Sequence, residues 1–337
     1  MATKKMHAVQ GAASDDLADA RSRSAVGFFK TTLGRSLLGL GLLLLVGGLL
    51  EPRTVTLPVL LSMLPFAAIL GVASIGQHLV IQQRGFDLSV AGTMSASAVL
   101  VTNLAAGHPG TLALVLAIAA TLLFGFLAGL INGLLVNRLG ITPLVTTIGT
   151  NALLLGLTYW YSNGVPVSAH PGLAAFANGR TLGIPNVALL ALLVCALSIL
   201  ALDRSRVGRY FVAVGVSPAA ARALAIPVDR YQILTYAVAG GFFAGAAILL
   251  SGVLSTPTLL SGAPYMLTTV AAFVVGGNPM NGDRASLTAT LVGALFLTYL
   301  SQLVISLGFD ESIQNIVQAT IILLGVAVPA TLRGLVR

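Results

Sequence analysis

Residues 111–136 read TLALVLAIAATLLFGFLAGLINGLLV, a long run without a charged residue or a proline. About 20 apolar residues in an α-helix cross the hydrocarbon core of a bilayer, so this run is long enough to span a membrane. The whole chain agrees, because 56% of its 337 residues are hydrophobic and only 8% are charged, a mix far from that of soluble domains. The sequence therefore predicts an all-α integral membrane protein.

Similar apolar runs recur along the chain and predict about ten transmembrane helices. The eighth run is the weakest, because residues 264–277 would rise only about 21 Å as a helix, whereas the hydrocarbon core is about 30 Å thick. It is expected to be a half-helix or a broken helix. The runs cover residues 33–50, 57–82, 88–106, 111–136, 141–161, 183–202, 231–254, 264–277, 285–307 and 312–331.

The positions of Lys and Arg predict which side of the membrane holds the termini. In a ten-span arrangement every Lys and Arg falls on the face of the termini except Arg53 and Arg180, so the positive-inside rule predicts cytoplasmic N- and C-termini. The net charge of +8 is then a topology signal, which excludes the need for a nucleic-acid partner. Residues 1–30 mix small, acidic and basic residues without periodicity and predict a mobile cytoplasmic tail, followed by a single transmembrane domain over 31–337.

Several chemistries are excluded by residues that are missing from the sequence. A nucleotide-binding P-loop needs a lysine, and the last lysine is Lys30. Proton-driven transporters usually keep carboxylates inside the membrane, whereas every Asp and Glu here lies in the tail or near a span end. The sequence contains no GxSxG-type motif that could hold a nucleophilic serine beside a histidine, and its histidines lack the spacing of metal ligands. The sequence therefore indicates neither a catalytic constellation nor a metal site, and an ion-coupled secondary transporter is a weaker alternative.

Neutral polar residues inside the spans are the candidates for a substrate path. Each is costly in lipid unless it faces another helix or a water-filled cavity, and an interhelical hydrogen bond is the better interpretation of any single one. As a set they suit an uncharged, hydroxyl-rich solute better than an ion. The predicted path residues are Gln77, His78, Asn103, Asn151 and Gln318, and Asn132 and Gln302 are further polar residues within the spans.

Glycines at four-residue spacing predict close helix packing. The fourth span carries Gly125, Gly129 and Gly133, and the seventh carries Gly241 and Gly245. Such flat faces let two helix backbones approach closely. These glycines are therefore interpreted as structural.

Two polar stretches between the spans are more informative. In QQRGFDLSVAG, residues 82–92, Arg84 and Gly85 predict a tight turn, and Asp87 is placed to cap the helix that follows. In GRYFVAVGVSPAAARALAIPVDRY, residues 208–231, Ser217 is a good N-cap and Pro218 a good first residue of a helix. That helix would be about eight residues long and marginal in water without something to pack against.

An ordered series of segments resembles one family. GFDLSV at 85–90 resembles the signature of the permease subunits of ATP-binding-cassette importers for ribose, xylose and related sugars. The resemblance extends over about residues 55–328 and keeps the family's order and spacing. It includes INGLLVNRLGITPLVTTIGT at 131–150, YSNGVPV at 161–167, LGIP at 182–185, the stretch at 208–231, and GGNPMNGDRASLTATLVGALFL at 276–297.

The resemblance implies a bacterial inner-membrane subunit that works by alternating access. Its two inverted halves would cover about 57–161 and 231–331, and it would pair with a second permease subunit, identical or different. Two cytoplasmic ATPase subunits would bind ATP and Mg²⁺, so this chain itself would hold no cofactor. An extracytoplasmic solute-binding protein would deliver the solute.

The resemblance also implies three sets of site residues. A coupling segment at about 208–230 would contact the ATPase through Arg209, Gly215, Ser217, Ala221, Arg222 and Ala223. The signature turn contains Gly85, Asp87 and Ser89. The external loop at 161–182 would dock the binding protein through Tyr161, Asn163, Pro166 and Arg180.

Two departures from the family pattern leave the solute open. APYMLTTVAA at 263–272 has Met266 and Thr268 where acids are common, and residues 217–220 read SPAA where Asn-Glu-Ala-Ala is frequent. A pentose is the first expectation, followed by hexoses or polyols. Branched-chain amino acids and nucleosides stay open as solutes of similar permeases, and a purely structural membrane protein is a third class.

Overall fold

The computed structural model describes residues 31–280, 282, 285–310, 312–321 and 323, which are almost wholly helical. Residues 312–321 are helical as well. In chain order the elements are α1 Thr32–Leu50, a 3₁₀ turn Pro52–Val55, α2 Leu57–Gln82, α3 Val90–Ala105, α4 Thr111–Asn137, α5 Pro143–Ser162, α6 Pro171–Asn178, β1 Arg180–Thr181, β2 Ile184–Pro185, α7 Asn186–Arg204, α8 Arg206–Val216, α9 Pro218–Ala223, α10 Val228–Leu254, α11 Tyr265–Val275 and α12 Leu287–Ser306.

The apolar runs predict these helices well. Each predicted run contains a helix over most of its described residues, and α2 has the predicted bounds. Within the described residues six helices are long and apolar enough to cross a membrane, namely α1, α2, α4, α7, α10 and α12, while α3 and α11 are shorter apolar helices. The predicted mobile tail at 1–30 and the end of the run at 312–331 lie outside the described residues.

The eighth apolar run forms a helix of only 11 residues, α11. At 1.5 Å per residue it rises about 16 Å, roughly half the thickness of a hydrocarbon core. Residues 255–264 before it form turns rather than helix. The prediction of a short or broken helix is therefore confirmed.

Two helices form the centre of the fold. α10 packs against α2, α3 and α4, while α2 also packs against α7, α11 and α12. Nearly every residue of α2 from Ile69 to Gln82 is buried. Every other described helix packs directly or through a neighbour on this pair.

The contact between α4 and α10 depends on glycine. A Cβ atom at Gly129 would lie 2.0 Å from the carbonyl oxygen of Tyr236, and one at Gly133 would lie 2.6 Å from that of Ile233. Real Cβ atoms essentially never approach backbone below 3.0 Å. The predicted packing role of Gly125, Gly129 and Gly133 is thus confirmed.

The prediction that Gly241 and Gly245 form the close-packing face of α10 is wrong. A Cβ at Gly241 would meet nothing within 4 Å, and one at Gly245 would reach only Leu122 at 3.8 Å. Gly240 makes the close approach instead, because its Cβ would lie 2.1 Å from the carbonyl oxygen of Gly125. The rotation of α10 about its own axis decides which glycine faces α4.

The outer surface of the helices is apolar. On α7, Leu192 is 67% exposed and Leu193 is 56% exposed, and Leu45 on α1 is 60% exposed. Large apolar side chains that face outward over several long helices require a lipid environment or another apolar subunit. The chain is therefore a multi-pass membrane protein.

The loop between α5 and α7 contains structure that the sequence analysis does not predict. It holds the short helix α6 and a two-stranded antiparallel hairpin, in which Arg180 pairs with Pro185 and Thr181 with Ile184. His170 begins α6, because its Nδ1 accepts a hydrogen bond from the backbone N–H of Gly172 at 3.0 Å.

Candidate functional site

The turn after α2 ends that helix with Arg84 in a left-handed conformation, at φ 63°. The N–H of Arg84 donates to the carbonyl of Ile81 at 2.8 Å, and the N–H of Gly85 donates to that of Val80 at 3.0 Å. This pair of bonds is the Schellman arrangement, which satisfies the last carbonyls of a helix. A Cβ at Gly85 would lie 2.4 Å from the hydroxyl oxygen of Tyr236, so a larger residue there would displace the Tyr236 side chain.

Asp87 organises the loop between this turn and α3. Its Oδ1 accepts hydrogen bonds from the backbone N–H of Ser89 at 2.9 Å and from the Ser89 hydroxyl at 2.6 Å. The side chain is fully buried, and burial raises the pKa of the Asp87 carboxyl to about 6. The prediction that Asp87 caps the next helix is wrong, because its carboxylate folds a local turn and Ser89 is the N-cap residue.

Asp87 and Ser89 lie in a chain of hydrogen bonds that reaches two further helices. Asn132 on α4 donates its Nδ2 to the Ser89 hydroxyl oxygen at 2.9 Å. Thr150 on α5 donates its hydroxyl to Oδ1 of Asn132 at 2.6 Å. We call these four residues the Asp87 network. It fills the junction of α3, α4 and α5 with buried polar contacts.

α5 also holds the beginning of α3 by two side chains. Asn151 accepts the backbone N–H of Gly92 through its Oδ1 at 2.7 Å, and the Thr147 hydroxyl accepts the N–H of Leu88 at 3.0 Å. The first N–H groups of a helix lack acceptors within the helix, and Asn151 provides an acceptor for one of these groups. Asn151 therefore fixes α3 to α5.

The predicted coupling segment is attached directly to the end of α2. Gln83 donates its Nε2 to the carbonyl of Phe211 at 2.7 Å. Arg84 donates Nε to the carbonyl of Gly215 at 3.1 Å and Nη2 to that of Val216 at 2.5 Å. A Cβ at Gly215 would lie 2.3 Å from the carbonyl oxygen of Gln82, so this contact also needs glycine.

The segment itself consists of two helices, α8 and α9, rather than one. The N-cap at Ser217 is confirmed, because its hydroxyl accepts the N–H of Ala220 at 3.3 Å. α9 has 6 residues, fewer than the predicted eight. The predicted coupling segment contained only the helix after Ser217, and no helix was predicted over the residues of α8.

The predicted coupling residues differ in exposure. Ala221 is 2% exposed and packs in a small apolar cluster with Val214, Ile226 and Val228. The Arg222 side chain is 61% exposed, and its Nη2 lies 3.2 Å from Oδ1 of Asp229. Gly215 is buried, Ser217 is half-buried, and Arg209 and Ala223 are exposed.

The five predicted path residues are spread over α2, α3, α5 and residues 312–321. Gln77 and His78 are fully buried in α2, and Nδ1 of His78 lies 2.8 Å from the Thr290 hydroxyl on α12. Asn103 donates to the carbonyl of Val99 in its own helix at 2.9 Å. Asn151 fixes α3, as described above. Gln318 donates its Nε2 to the Ser301 hydroxyl on α12 at 2.6 Å.

The four residues predicted to dock a binding protein all lie on the surface. They are exposed and belong to the end of α5, the loop that follows it and the hairpin. Asn163 ends α5 in the left-handed conformation, at φ 51°, which asparagine tolerates better than most residues. The residues are Tyr161, Asn163, Pro166 and Arg180.

Gln83, Thr147 and Thr150 were missed by the sequence analysis. Each forms its bond with a residue far away in the chain, so no local pattern marks it. The one local signal was the Asp-x-Ser spacing of residues 87–89, which is typical of a side-chain turn.

The long apolar helices, their exposed apolar faces and the buried polar contacts between them define a polytopic membrane protein. Residues 59–326 match the family described as branched-chain amino acid transport system / permease component. The chain belongs to this family.

Curated relatives cover most of the chain. The ribose import permease protein RbsC of Escherichia coli (strain K12) is 30% identical over 299 residues, which is 87% of this chain and 92% of that protein. RbsC of Bacillus subtilis (strain 168) is 31% identical over 86% of this chain and 90% of its own length. The autoinducer 2 import system permease protein LsrD of Salmonella typhi is 32% identical over 77% and 79%.

Proposed function

We propose that this chain is the membrane-spanning permease subunit of an ATP-driven importer of a neutral sugar, with a pentose as the first candidate solute. The names of its relatives, two ribose import permeases and an autoinducer 2 import permease, support this substrate class. The neutral amide and hydroxyl groups among the helices agree with an uncharged solute. The chain carries the transport path, and ATP hydrolysis belongs to a partner.

The proposed architecture has ten spans in two inverted halves, with both termini in the cytoplasm. It is supported by corresponding contacts, because α10 packs against α3 and α4 much as α2 packs against α11 and α12. α3 and α11, the second helices of the two halves, are both too short to span a bilayer unaided. The solute path would lie between two such permease subunits, and alternating access would open it to one side of the membrane at a time.

The contact between the coupling segment and the end of α2 is the observation that carries the proposal. Gln83 and Arg84 bind the backbone of residues 211–216, and the loop that follows them continues into the Asp87 network. A displacement of α8 and α9 by an ATPase would therefore be transmitted to α3, α4 and α5. Discrete contacts of this sort are what a switch between two arrangements requires.

The proposed complex contains a second permease subunit, two cytoplasmic ATPase subunits and an external solute-binding protein. The ATPase subunits would hold ATP and Mg²⁺ and contact residues 208–230. The solute-binding protein would dock on the loop that contains Tyr161, Asn163, Pro166 and Arg180. Binding and hydrolysis of ATP would then alternate access to the path between the two sides.

The test is reconstitution of the permease in proteoliposomes with its ATPase and binding protein. We expect uptake of radiolabelled D-ribose that requires all three components and ATP, and that excess unlabelled D-xylose reduces more than L-leucine does. Uptake of ribose driven by an ion gradient without ATP would contradict the proposal and favour a secondary transporter. A reduction by L-leucine alone would assign the solute to the branched-chain amino acids.

The coupling step has its own matched pair of variants. Arg222→Glu reverses an exposed charge on α9, whereas Asp229→Asn breaks the same ion pair without adding an acid there. We expect Arg222→Glu to lower uptake at least tenfold and to weaken ATPase stimulation, while Asp229→Asn leaves both near wild type. Equal effects of the two variants would mean that only the ion pair matters and would contradict a docking role.

A further inference from the structure

An apolar groove of about 760 Å³ lies between α7 on one side and α4 and α10 on the other. α6 lines the end where α4 begins, because a Cβ at Gly172 would lie 3.5 Å from Cδ2 of Leu114. Part of the lining is open to the outside, since Leu123 is 57% exposed and Phe176 is 42% exposed. The groove therefore opens on the apolar outer surface of the helices, where lipid surrounds a membrane protein.

Two glycines of α10, Gly241 and Gly245, keep this groove open. Both line it, and a Cβ at Gly241 would meet nothing within 4 Å. The close contact with α4 is made by another face of α10, through Gly240. Glycine stabilises a helix less than alanine does, so an occupant of the groove gives these two glycines a role that the helix contacts do not.

The groove has the depth of one leaflet of a bilayer. Along α4 it extends from Leu114 to Phe126, a rise of about 18 Å at 1.5 Å per residue. Along α10 it extends from Val238 to Leu249, a rise of about 17 Å. One leaflet contributes half of the hydrocarbon core, about 15 Å. A groove of this length that is open to lipid matches an extended acyl chain.

The volume and the chemistry of the groove disfavour other occupants. An α-helix with its side chains is about 10 Å wide, so 18 Å of a partner's helix would fill roughly 1,400 Å³, nearly twice the volume of the groove. The described lining consists of Val, Leu, Ile, Phe and Gly, whose side chains offer no hydrogen bond. A sugar would lose its hydrogen bonds to water there without replacing them.

A polar group lies at the end of the groove near α6. Nδ1 of His170 accepts the backbone N–H of Gly172, which lines the groove. The other ring nitrogen, Nε2, then carries the proton, but it is buried and has no hydrogen-bond partner among the described residues. Buried donors without an acceptor are rare in native proteins. The ester carbonyls of a glycerophospholipid lie where its acyl chains begin, so they could supply the acceptor.

We propose that the groove binds one acyl chain of a glycerophospholipid from the leaflet that contains α6, and that an ester carbonyl of this lipid accepts the Nε2–H of His170. The bound chain fills the space between α7 and α10, which pack on different neighbours, α7 on α2 and α8, and α10 on α2, α3 and α4. Because α7 continues into α8, the lipid stabilises the helix that carries the coupling segment. The site is independent of the transported solute.

Quenching of a tryptophan in the groove by a brominated lipid measures its occupancy. Trp160 is the single native tryptophan, so Trp160→Phe is the background. Phe242→Trp then places the only tryptophan in the groove, and Leu45→Trp places it on the exposed surface of α1. Delipidated protein in dodecyl maltoside is titrated with dibrominated phosphatidylcholine. We expect quenching of Phe242→Trp to saturate near one lipid per chain, whereas quenching of Leu45→Trp stays weak and does not saturate.

A matched pair of substitutions tests whether the groove itself binds the lipid. Gly241→Leu and Gly41→Leu add the same side chain where a Cβ meets nothing within 4 Å, but only Gly241 lines the groove. In the Phe242→Trp background we expect Gly241→Leu to weaken lipid binding at least tenfold and Gly41→Leu to leave it unchanged. His170→Ser keeps an oxygen acceptor for the N–H of Gly172 but removes the Nε2 donor, so we expect binding to weaken roughly two- to tenfold.

The other possible outcomes each contradict a part of the proposal. Equal quenching of Phe242→Trp and Leu45→Trp, or equal binding by Gly241→Leu and Gly41→Leu, would overturn it. Competition by stearic acid as strong as that by unbrominated phosphatidylcholine would mean that the site takes a free fatty acid. Loss of quenching as the protein concentration rises, at a constant ratio of lipid to protein, would mean that a second subunit covers the groove. Elution as a single species confirms that each variant is folded.

Discussion

Gly129→Ala tests whether the contact between α4 and α10 sets the stability of the fold. The added methyl group would lie 2.0 Å from the carbonyl oxygen of Tyr236 and 2.7 Å from its carbonyl carbon. Ordinary contact begins at 3.4 Å, so the two backbones must move apart by roughly 1.4 Å. Because both close atoms belong to the main chain of a buried helix, no side-chain rotation relieves the overlap.

The energetic cost follows from that displacement. Overpacking a well-packed interior costs about 1–3 kcal/mol, and the better helix propensity of alanine returns at most about 1 kcal/mol. Even with that full return the net cost reaches about 2 kcal/mol, so for a chain of this length we expect a loss of up to roughly 4 °C in Tm, at about 2 °C per kcal/mol. The measurement is a thermal melt in detergent, followed by the amount of protein that still elutes as a single species.

Gly241→Ala is the matched control, because it makes the same substitution on α10 where a Cβ meets nothing within 4 Å. We expect its Tm to equal or slightly exceed that of the wild type. If both variants melt at the same temperature, the close approach at Gly129 does not limit stability and the packing argument is refuted. A loss at Gly241 with none at Gly129 would mean that α10 is rotated from its described position.

Two further predictions concern the loop after α2. Burial raises the pKa of the Asp87 carboxyl from 3.8 to about 6, so the folded state holds this proton more tightly than the unfolded state does. The free energy of unfolding therefore falls as pH rises from about 4 to 6, and the full loss persists above pH 6. Asp87→Asn keeps an acceptor for Ser89, and its melting temperature should change less across this pH range than that of the wild type. Asp229→Asn, on an exposed residue, should keep the wild-type pH dependence. An unchanged slope in Asp87→Asn would refute the assignment of this pH dependence to Asp87. We expect Arg84→Gln to lower ATP-dependent uptake at least fivefold with little loss of folded protein. The reason is that a single amide cannot reach the carbonyls of both Gly215 and Val216. Full uptake in reconstituted vesicles would argue against a coupling contact at Arg84.

The sequence predicts the helices of this chain because their signal is local. A run such as 57–82 carries its own length and its own apolar character, and α2 has those bounds. α8 was missed for the opposite reason, since arginines and a tyrosine interrupt the apolar residues of Arg206–Val216. The burial of Gly208, Phe211 and Val214, three positions apart, shows one apolar face on a surface helix, and this spacing is a sequence signal that was overlooked.

Register and long-range contacts were beyond local patterns. Both Gly240 and Gly241 fit a small-residue motif, and which one faces α4 depends on how α10 is rotated in the assembled bundle. The bond from Asn132 to Ser89 joins residues 43 positions apart, and that from Gln83 to Phe211 joins residues 128 positions apart. Neither polar pair follows from spacing, although the polar character of Asn132 inside an apolar run correctly indicated that it needs a partner.

The two halves of the chain arrange their polar residues differently, because one half fills its helix junction with bonded side chains and the other surrounds a cavity. In the first half the Asp87 network joins α3, α4 and α5 and connects through Arg84 to the coupling segment, so this junction is suited to transmit force. In the second half α11, α12 and residues 312–321 surround a cavity whose lining includes amides and hydroxyls. If the halves are inverted, the first junction lies on the cytoplasmic side and the second on the external side. Movement of α8 would then act first on the closed junction, because Arg84 bonds the backbone of Gly215 and Val216 next to it.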